Sequence, residues 1–209
     1  MKEKKSTTRR KPARPTQSIR PATALAHEIR IVGGQWKRTK LKVADKPGLR
    51  PTPDRVRETL FNWLGQDLTG WRCMDAFAGT GALGFEAASR GAAEVRMVEQ
   101  NSALLDQLKR VQIQLQASAV QIARGDGVAA LRQLDAASLD LVFLDPPFDS
   151  ALYEAALLAA GHAVGPQGFV YLEASTLWTD EDLQGARLKL HRHLKAGAVH
   201  AHLLTRLPD

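Results

Sequence analysis

The chain has 209 residues, 44% of them apolar, a formal net charge of +7 and a single cysteine. That length suits one full α/β domain with an extension, and the apolar share suits an ordinary core. No apolar run approaches the length of a membrane span, the Lys/Arg/Pro-rich start lacks the apolar segment of a secretory signal, and one cysteine excludes an internal disulfide, so a cytoplasmic protein is expected.

The charge is unevenly spread. Residues 1–20 hold eight Lys/Arg against Glu3, residues 30–57 hold nine against Asp45 and Asp54, and the chain from 58 onward is net acidic. A polyanion is therefore expected to dock on the N-terminal quarter through phosphate contacts. Residues 1–27, poor in large apolar side chains, read as a disordered basic tail. Ile29–Val32 and Gln35–Val43 are β-type runs around Gly33-Gly34, which predicts a hairpin with its turn at the glycines. Its second arm alternates Lys37, Arg38, Lys40 and Lys42 with Trp36, Leu41 and Val43, a ribbon suited to face nucleic acid on one side and pack on the other. In Arg50-Pro51-Thr52-Pro53-Asp54, Thr52 fits a helix N-cap and Pro53 the first helical position. Val56, Leu60, Trp63 and Leu64 then share one apolar face, with Arg50, Arg55 and Arg57 near the helix start or on its other side.

From Trp71 strand and helix patterns alternate. Strands are predicted near Arg72–Phe77, Glu94–Val98, Val120–Ala123, Leu139–Leu144 and Phe169–Glu173, with helices near Ala82–Arg90, Ala103–Gln116, Val128–Gln133, Ala151–Gly161 and Asp180–Leu183. This alternation implies a mostly parallel, doubly wound α/β sheet. The chain ends on two successive strands, Leu188–Lys195 and Ala198–Arg206, around Ala196-Gly197. A two-residue turn there pairs Leu194 with Val199 and Leu190 with Leu203 on an apolar face. It pairs His193 with His200 and His191 with His202 on the other, which reads as a solvent-facing strand surface rather than a metal site. Cys73 falls in an apolar strand and reads as a buried, inert thiol.

The first parallel strand leads into Asp75-Ala76-Phe77-Ala78-Gly79-Thr80-Gly81-Ala82-Leu83-Gly84. Its glycines match the dinucleotide fingerprint, a motif of low specificity that leaves an NAD oxidoreductase open. Three acids favour S-adenosylmethionine. Asp75 can accept from the ammonium of a zwitterionic amino acid, where a pyrophosphate would be repelled. Glu99, ending the second strand, can take both ribose hydroxyls of either cofactor. Asp126, after the third, can accept from an adenine amino group or serve as a helix cap. Asp145-Pro146-Pro147-Phe148 follows the fourth strand at the same rim. Prolines stop a ladder and hold the backbone extended, so the Asp145 carboxylate and the Pro146 carbonyl can together accept both hydrogens of a planar amino group, with Phe148 laid on the base.

These segments, with Arg30-Ile31-Val32-Gly33-Gly34-Gln35-Trp36, Gly48-Leu49-Arg50-Pro51-Thr52 and Asp54–Leu64, resemble the bacterial 16S ribosomal RNA guanine-N2 methyltransferase family, RsmD type. The resemblance spans about residues 29–150. It implies a Rossmann-like class I methyltransferase fold with a C-terminal antiparallel hairpin, S-adenosylmethionine as cofactor, and a guanine in the 16S rRNA of an assembling small ribosomal subunit as substrate. It also implies a catalytic set of Asp145, Pro146 and Phe148, and cofactor contacts from Asp75, Phe77, Gly79, Gly81, Glu99 and Asp126. Substrate contacts are expected from Pro147, Lys37, Arg38, Arg50, Arg55 and Arg57, with the arginines serving RNA phosphates or the cofactor carboxylate. The expected organisation is a tail at 1–27, a basic hairpin and helix at 28–66 and a methyltransferase domain at 67–209, acting as a monomer. The rivals are an adenine-N6 or cytosine-N4 DNA methyltransferase, which shares the Asp-Pro-Pro-aromatic logic, and a non-catalytic RNA-binding assembly factor.

Overall fold

The computed structural model describes residues 28–42, 52–147 and 151–208. Its elements run β1 (Glu28–Arg30), β2 (Lys40–Lys42), α1 (Asp54–Trp63), β3 (Arg72–Asp75), α2 (Ala82–Ser89), β4 (Glu94–Glu99), α3 (Ser102–Leu115), β5 (Val120–Arg124), α4 (Gly127–Arg132), β6 (Leu139–Leu144), α5 (Leu152–Ala163), β7 (Val164–Ala174), α6 (Asp180–Leu183), β8 (Leu188–Ala196) and β9 (Val199–Arg206). The seven-stranded sheet has the order β5-β4-β3-β6-β7-β9-β8. Strands β5 to β7 in that order are parallel, and β9 and β8 complete it antiparallel. The chain winds outward from β3 through β4 to β5, then returns to the other side of β3 with β6. The strand order therefore reverses between β3 and β6, where open α/β sheets take their ligands.

Alternating side chains of each strand serve two cores. Cys73, Val95, Met97, Leu141, Phe143, Tyr171 and Leu203 face α1, α2, α3 and the small hairpin; Met74, Val98, Val142, Leu144, Val170, Leu172 and Leu204 face α4, α5 and α6. Helix α3 shows the local logic. Asn101 accepts from Leu104 N–H at the N-cap, Leu104, Leu108, Val111 and Leu115 recur on the buried face, and left-handed Gln116 ends it. Cys73 is fully buried, and burial pushes its thiol up, away from the reactive thiolate.

The N-terminal segment is tied to the sheet domain by one buried charge cluster. Arg57 is 0% exposed. Its guanidinium donates to Glu86 Oε2 at 3.1 Å, Asp54 Oδ1 at 2.6 Å, and the carbonyls of Thr52 and Arg30 at 3.2 and 2.7 Å. Glu86, also fully buried, further accepts from Val32 N–H and from Arg90, whose guanidinium lies 4.5 Å over the Phe61 ring. The structure thus places Arg57, expected among the substrate contacts, inside the protein, with Nε and both terminal nitrogens on protein acceptors.

Four other expectations change. The β1–β2 turn is wider than Gly33-Gly34. Glu28 pairs with Lys42 and Arg30 with Lys40, and residues 33–38 fold onto the end of α2. Gln35 N–H and Trp36 N–H reach Ser89, and Ser89 Oγ donates to Gly33 O. The glycines serve close approach: at Gly34, with φ +71°, an added Cβ would stand 1.8 Å from the Ser89 carbonyl oxygen. Thr52 is not the cap of α1, which has Pro53 at its N-cap; the Thr52 hydroxyl goes elsewhere. Strand β7 begins at Val164, pairing with Leu139 before a bulge, although Gly165-Pro166-Gln167-Gly168 carries turn-type residues. In the C-terminal hairpin the turn is Gly197-Ala198, because Ala196 pairs with Val199. The pairs near the turn slide by two, which preserves their faces, and a bulge at His191 leaves the pairs beyond it slid by one, which reverses them.

Replacing Arg57 by Leu leaves the buried Glu86 carboxylate with one of its two guanidinium partners, and should destabilise the fold by about 3–5 kcal/mol in denaturant unfolding. Arg55→Leu, on the exposed side of the same helix, should stay within roughly 0.5 kcal/mol of wild type.

Candidate active site

Each of the five parallel strands ends in, or leads into, one carboxylic acid at the same edge of the sheet: Asp126 after β5, Glu99 on β4, Asp75 on β3, Asp145 after β6 and Glu173 near the end of β7. The sequence points to the first four. Glu173 is hidden in the sequence, because one of its two partners comes from a segment far away in the chain. Its Oε1 accepts from Thr52 Oγ1 at 2.7 Å, across 121 residues, and from the Tyr171 hydroxyl at 2.9 Å. The available signal was an acid two residues from a tyrosine inside an otherwise apolar strand.

Strand register sets which acids meet. Asp75 pairs with Phe143 and Phe143 with Tyr171, so these three share a face, and Asp145 and Glu173 follow two residues later on it. This face carries α1 and α2. Phe143 packs against Phe61 of α1 and edge-on to Tyr171, a floor of rings beneath Asp145 and Glu173. Asp75 is 2% exposed; it accepts from Gly84 N–H at 3.1 Å and from Phe77 N–H. Burial outweighs those two donors and raises its pKa to about 7. Asp145 is half-buried, with Pro146 buried and Pro147 exposed beside it. Burial, then the Glu173 and Asp75 charges, hold the Asp145 carboxyl well above the usual carboxylate range. Burial also raises Glu173, against its two hydroxyl donors Thr52 and Tyr171.

The glycine loop is shaped by the acids around it. Glu99 Oε2 accepts from Gly79 N–H at 2.9 Å and its Oε1 from Asn101 N–H at 2.7 Å. Gly81 sits at the N-cap of α2 with φ +82°, and a Cβ there would meet Leu108 and Phe85 below 3.0 Å. Phe77 is half-buried beside the loop. Asp126 is exposed and takes the capping role, with Oδ1 on Ala129 N–H at 2.8 Å and Oδ2 on Gln100 Nε2 at 3.1 Å. Each of these carboxylate oxygens keeps a second lone pair for a ligand. A row of acids of this kind suits a ligand bearing cationic and hydroxyl or amino donor groups, and disfavours a pyrophosphate.

The basic residues separate. Arg55, Lys37 and Arg38 are exposed. The turn bearing Lys37 and Arg38 docks on Ser89, the far end of α2 from Gly81, roughly 12 Å of helix away from the acid row. Arg50 and Phe148 lie outside the described residues, as does the tail 1–27. The histidines also divide. His191 tilts against Phe169, whereas His193, His200 and His202 bring ring nitrogens within 4.8 Å of one another. His202 is buried, not solvent-facing; Nε2 accepts from Trp178 N–H, so Nδ1 carries the proton and donates to Leu172 O. Burial chiefly lowers its pKa to about 4, and the trio has two rings with a nitrogen to offer an ion.

The family model described as Conserved hypothetical protein 95 matches residues 29–205. Ribosomal RNA small subunit methyltransferase D of Escherichia coli (strain K12) is 41% identical over 174 residues, covering 82% of this chain and 87% of the relative. The protein of the same name from Haemophilus influenzae is 42% identical over 151 residues, covering 70% and 78%. Among solved structures, yhhF of Escherichia coli, named as a candidate methyltransferase, superposes with a TM-score of 0.76 at 37% identity, covering 88% of this chain and all of that one.

The raised Asp75 carboxyl has a stability consequence. The unfolded chain releases this proton near pH 4 and the native chain near pH 7, so between them the native state binds more protons and stability falls as pH rises. The loss, complete above about pH 7, is roughly 4 kcal/mol at ~1.4 kcal/mol per pKa unit. Denaturant midpoints measured from pH 4 to 8 should show that decline in wild type, reduced by this amount in Asp75→Asn. Parallel curves would mean Asp75 is not the group responsible.

Proposed function

The chain belongs to the Conserved hypothetical protein 95 family, the RsmD family of methyltransferases, and on that footing we propose that it transfers a methyl group from S-adenosylmethionine to the exocyclic N2 amino group of a guanine in 16S rRNA of the small ribosomal subunit. The observation that carries this reading is the placement of Asp145-Pro146-Pro147 at the reversal of strand order, in one row with the acids that end the neighbouring strands.

The donor set fits S-adenosylmethionine. Asp75 and the glycine loop at Gly79 and Gly81 serve the amino-acid end, Glu99 the ribose hydroxyls, and Phe77 with Asp126 the adenine. Bound there, it supplies an electrophilic methyl group on a sulfonium. The chain's own residues supply position. The guanine amine is a poor nucleophile because its lone pair is delocalised into the ring. Accepting its two N–H bonds at Asp145 and the Pro146 carbonyl orients that lone pair, and Phe148 stacks on the base. Asp145, Pro146 and Phe148 would thereby hold the amine in line with the methyl group that S-adenosylmethionine would supply. Holding two reactants this way is worth effective molarities of ~10⁵ M or more. A base inside a helix cannot reach the row, so the target guanine must leave its stack.

Residues 28–66 form the RNA-side extension of a methyltransferase domain at 67–209 in this reading, with residues 1–27 as a further basic tail. Lys37, Arg38, Arg55 and Arg50 hold phosphates, Pro147 borders the base, and the distance of Lys37 and Arg38 from the acids suits contacts a few nucleotides from the target. The substrate is rRNA in an assembling particle, and the enzyme works as a monomer. Among the described residues no helix is long and apolar enough to cross a membrane.

Radiolabelled methyl transfer from S-adenosylmethionine to partially assembled small subunits, followed by nucleoside analysis, should yield N2-methylguanosine. Label in N6-methyladenine or N4-methylcytosine would overturn the guanine reading. Asp145→Ala should keep cofactor affinity within a few fold and lose most transfer; near wild-type turnover would remove Asp145 from the mechanism. Lys37→Ala with Arg38→Ala should weaken RNA binding and reduce its salt dependence by a slope of about two. An unchanged slope would take this turn out of the RNA interface.

A further inference from the structure

We propose that Asp145 and Glu173 form a dyad holding one proton between them, with Glu173 the positioning residue that lets Asp145 take the proton shed by the methylated amine. The relay step rests on the methyltransferase reading above; the dyad does not.

The geometry is that of two neighbouring parallel strands. Leu144 and Leu172 form the last pair of the β6–β7 ladder, and Asp145 and Glu173 are the residues that directly follow them on the two adjacent strands. Neighbouring strands lie ~4.8 Å apart, within reach of two carboxyl groups. Glu173 is withdrawn from water to 3% exposure, and Asp145 is half-buried beside it. Two such carboxylates cannot both be ionised at neutral pH without a cation between them.

The surroundings decide where the charge rests. From β7, Tyr171 donates to Glu173 Oε1, and from the start of α1 Thr52 donates to the same oxygen. From β3 comes another acid, Asp75, with Glu99 of β4 beyond it, and from β9 only Ala201 pairs with Glu173. Arg57 of α1 reaches the Thr52 carbonyl rather than either carboxyl and is held by Glu86 and Asp54. Two hydroxyl donors on Glu173 favour its ionised form, so the shared proton sits on Asp145 at rest.

That arrangement suits the proton balance of N-methylation. Before transfer the unprotonated oxygen of Asp145 accepts an amine N–H. After transfer the nitrogen is a cation with two N–H bonds and is strongly acidic. One N–H bond breaks, its proton forms an O–H bond on Asp145, and the proton already on Asp145 moves to Glu173. The dyad goes from charge −1 to neutral, the methylated base is left uncharged, and one proton later returns to water. Glu173 thus acts through Asp145 and need not touch the substrate.

The test is a carboxyl titration of the full chain by NMR, with ¹³C in the Asp and Glu side-chain carboxyl groups and without substrate. Wild type should show two linked steps, one below and one above the titration of Asp145 in the Glu173→Gln variant. Gln retains an oxygen for Thr52 and Tyr171, and in it the Asp145 step should fall by about one unit or more from the upper wild-type step. Thr52→Val, which loses only a hydroxyl, should raise the lower step. An Asp145 step unmoved by Glu173→Gln overturns the dyad. Single-turnover methyl transfer supplies the functional readout: the acid limb of the rate should move to higher pH in both Glu173→Gln and Thr52→Val. A uniform loss of rate with the limb in place would make Glu173 merely structural and overturn the relay. Linked steps in a wild-type protein that methylates no guanine would uphold the dyad and overturn the guanine reading instead.

Discussion

The buried carboxylate of Glu86 organises the molecule. It sits in α2, among alanine, leucine and phenylalanine, and would be untenable there alone. Two guanidinium groups and a backbone N–H converge on it: Arg57 from α1, Arg90 one turn further along α2, and Val32 from the segment after β1. Three pieces of chain that are separate in sequence are thereby fixed to one another. Such a cluster contributes little net stability relative to apolar side chains of the same volume, since desolvation offsets most of the attraction. What it does supply is direction. An apolar contact tolerates sliding; a bidentate fork on a carboxylate does not.

That direction is transmitted to the rim. Arg57 also holds the carbonyl of Thr52, and the Thr52 hydroxyl reaches Glu173. From Glu86 at the middle of α2 to Glu173 at the end of β7, every link is a hydrogen bond with a defined donor. The N-terminal segment and the acid row are consequently parts of one bonded network. The turn that carries Lys37 and Arg38 is anchored to Ser89 of the same helix α2. Basic surface and acids therefore hold a fixed spacing, which a substrate as stiff as folded RNA can exploit.

The sheet and its helices were legible because period and punctuation agree with tertiary packing. The alternation after Trp71 gave the parallel order, and acids at strand ends fell on one edge because parallel strands all end on the same side. Arg57 was misread for a physical reason. A cation in a basic stretch looks solvated, and only the solitary acid in the apolar sequence of α2, 29 residues later, could have suggested its burial. Local rules assign Gly33 and Gly34 to a turn, whereas the demand for glycine is made by a helix end whose Ser89 lies 56 residues from Gly33. Glu173 escaped because its hydroxyl partner, Thr52, had a plausible local role as a cap. The hairpin histidines failed by register: a turn displaced by one residue and a bulge at His191 together decide which ring is buried.

The two sets of buried acids differ in how their burial is tolerated, and the difference separates scaffold from chemistry. Glu86 is met by the guanidinium groups of Arg57 and Arg90, which fix its carboxyl group in place. Asp75, Asp145 and Glu173 are met by hydroxyl and backbone donors and by one another, with no guanidinium or ammonium bound to them among the described residues. A carboxyl group paired to arginine is a poor proton acceptor, because taking up a proton discards the pairing. A carboxyl group raised by burial and by like charge accepts a proton readily, because the proton relieves both penalties. Methylation of an exocyclic amine ends with a proton to be removed from the nitrogen. A row of acids without counter-cations among the described residues, at the reversal point of the sheet, is the arrangement that this last step of the proposed reaction calls for.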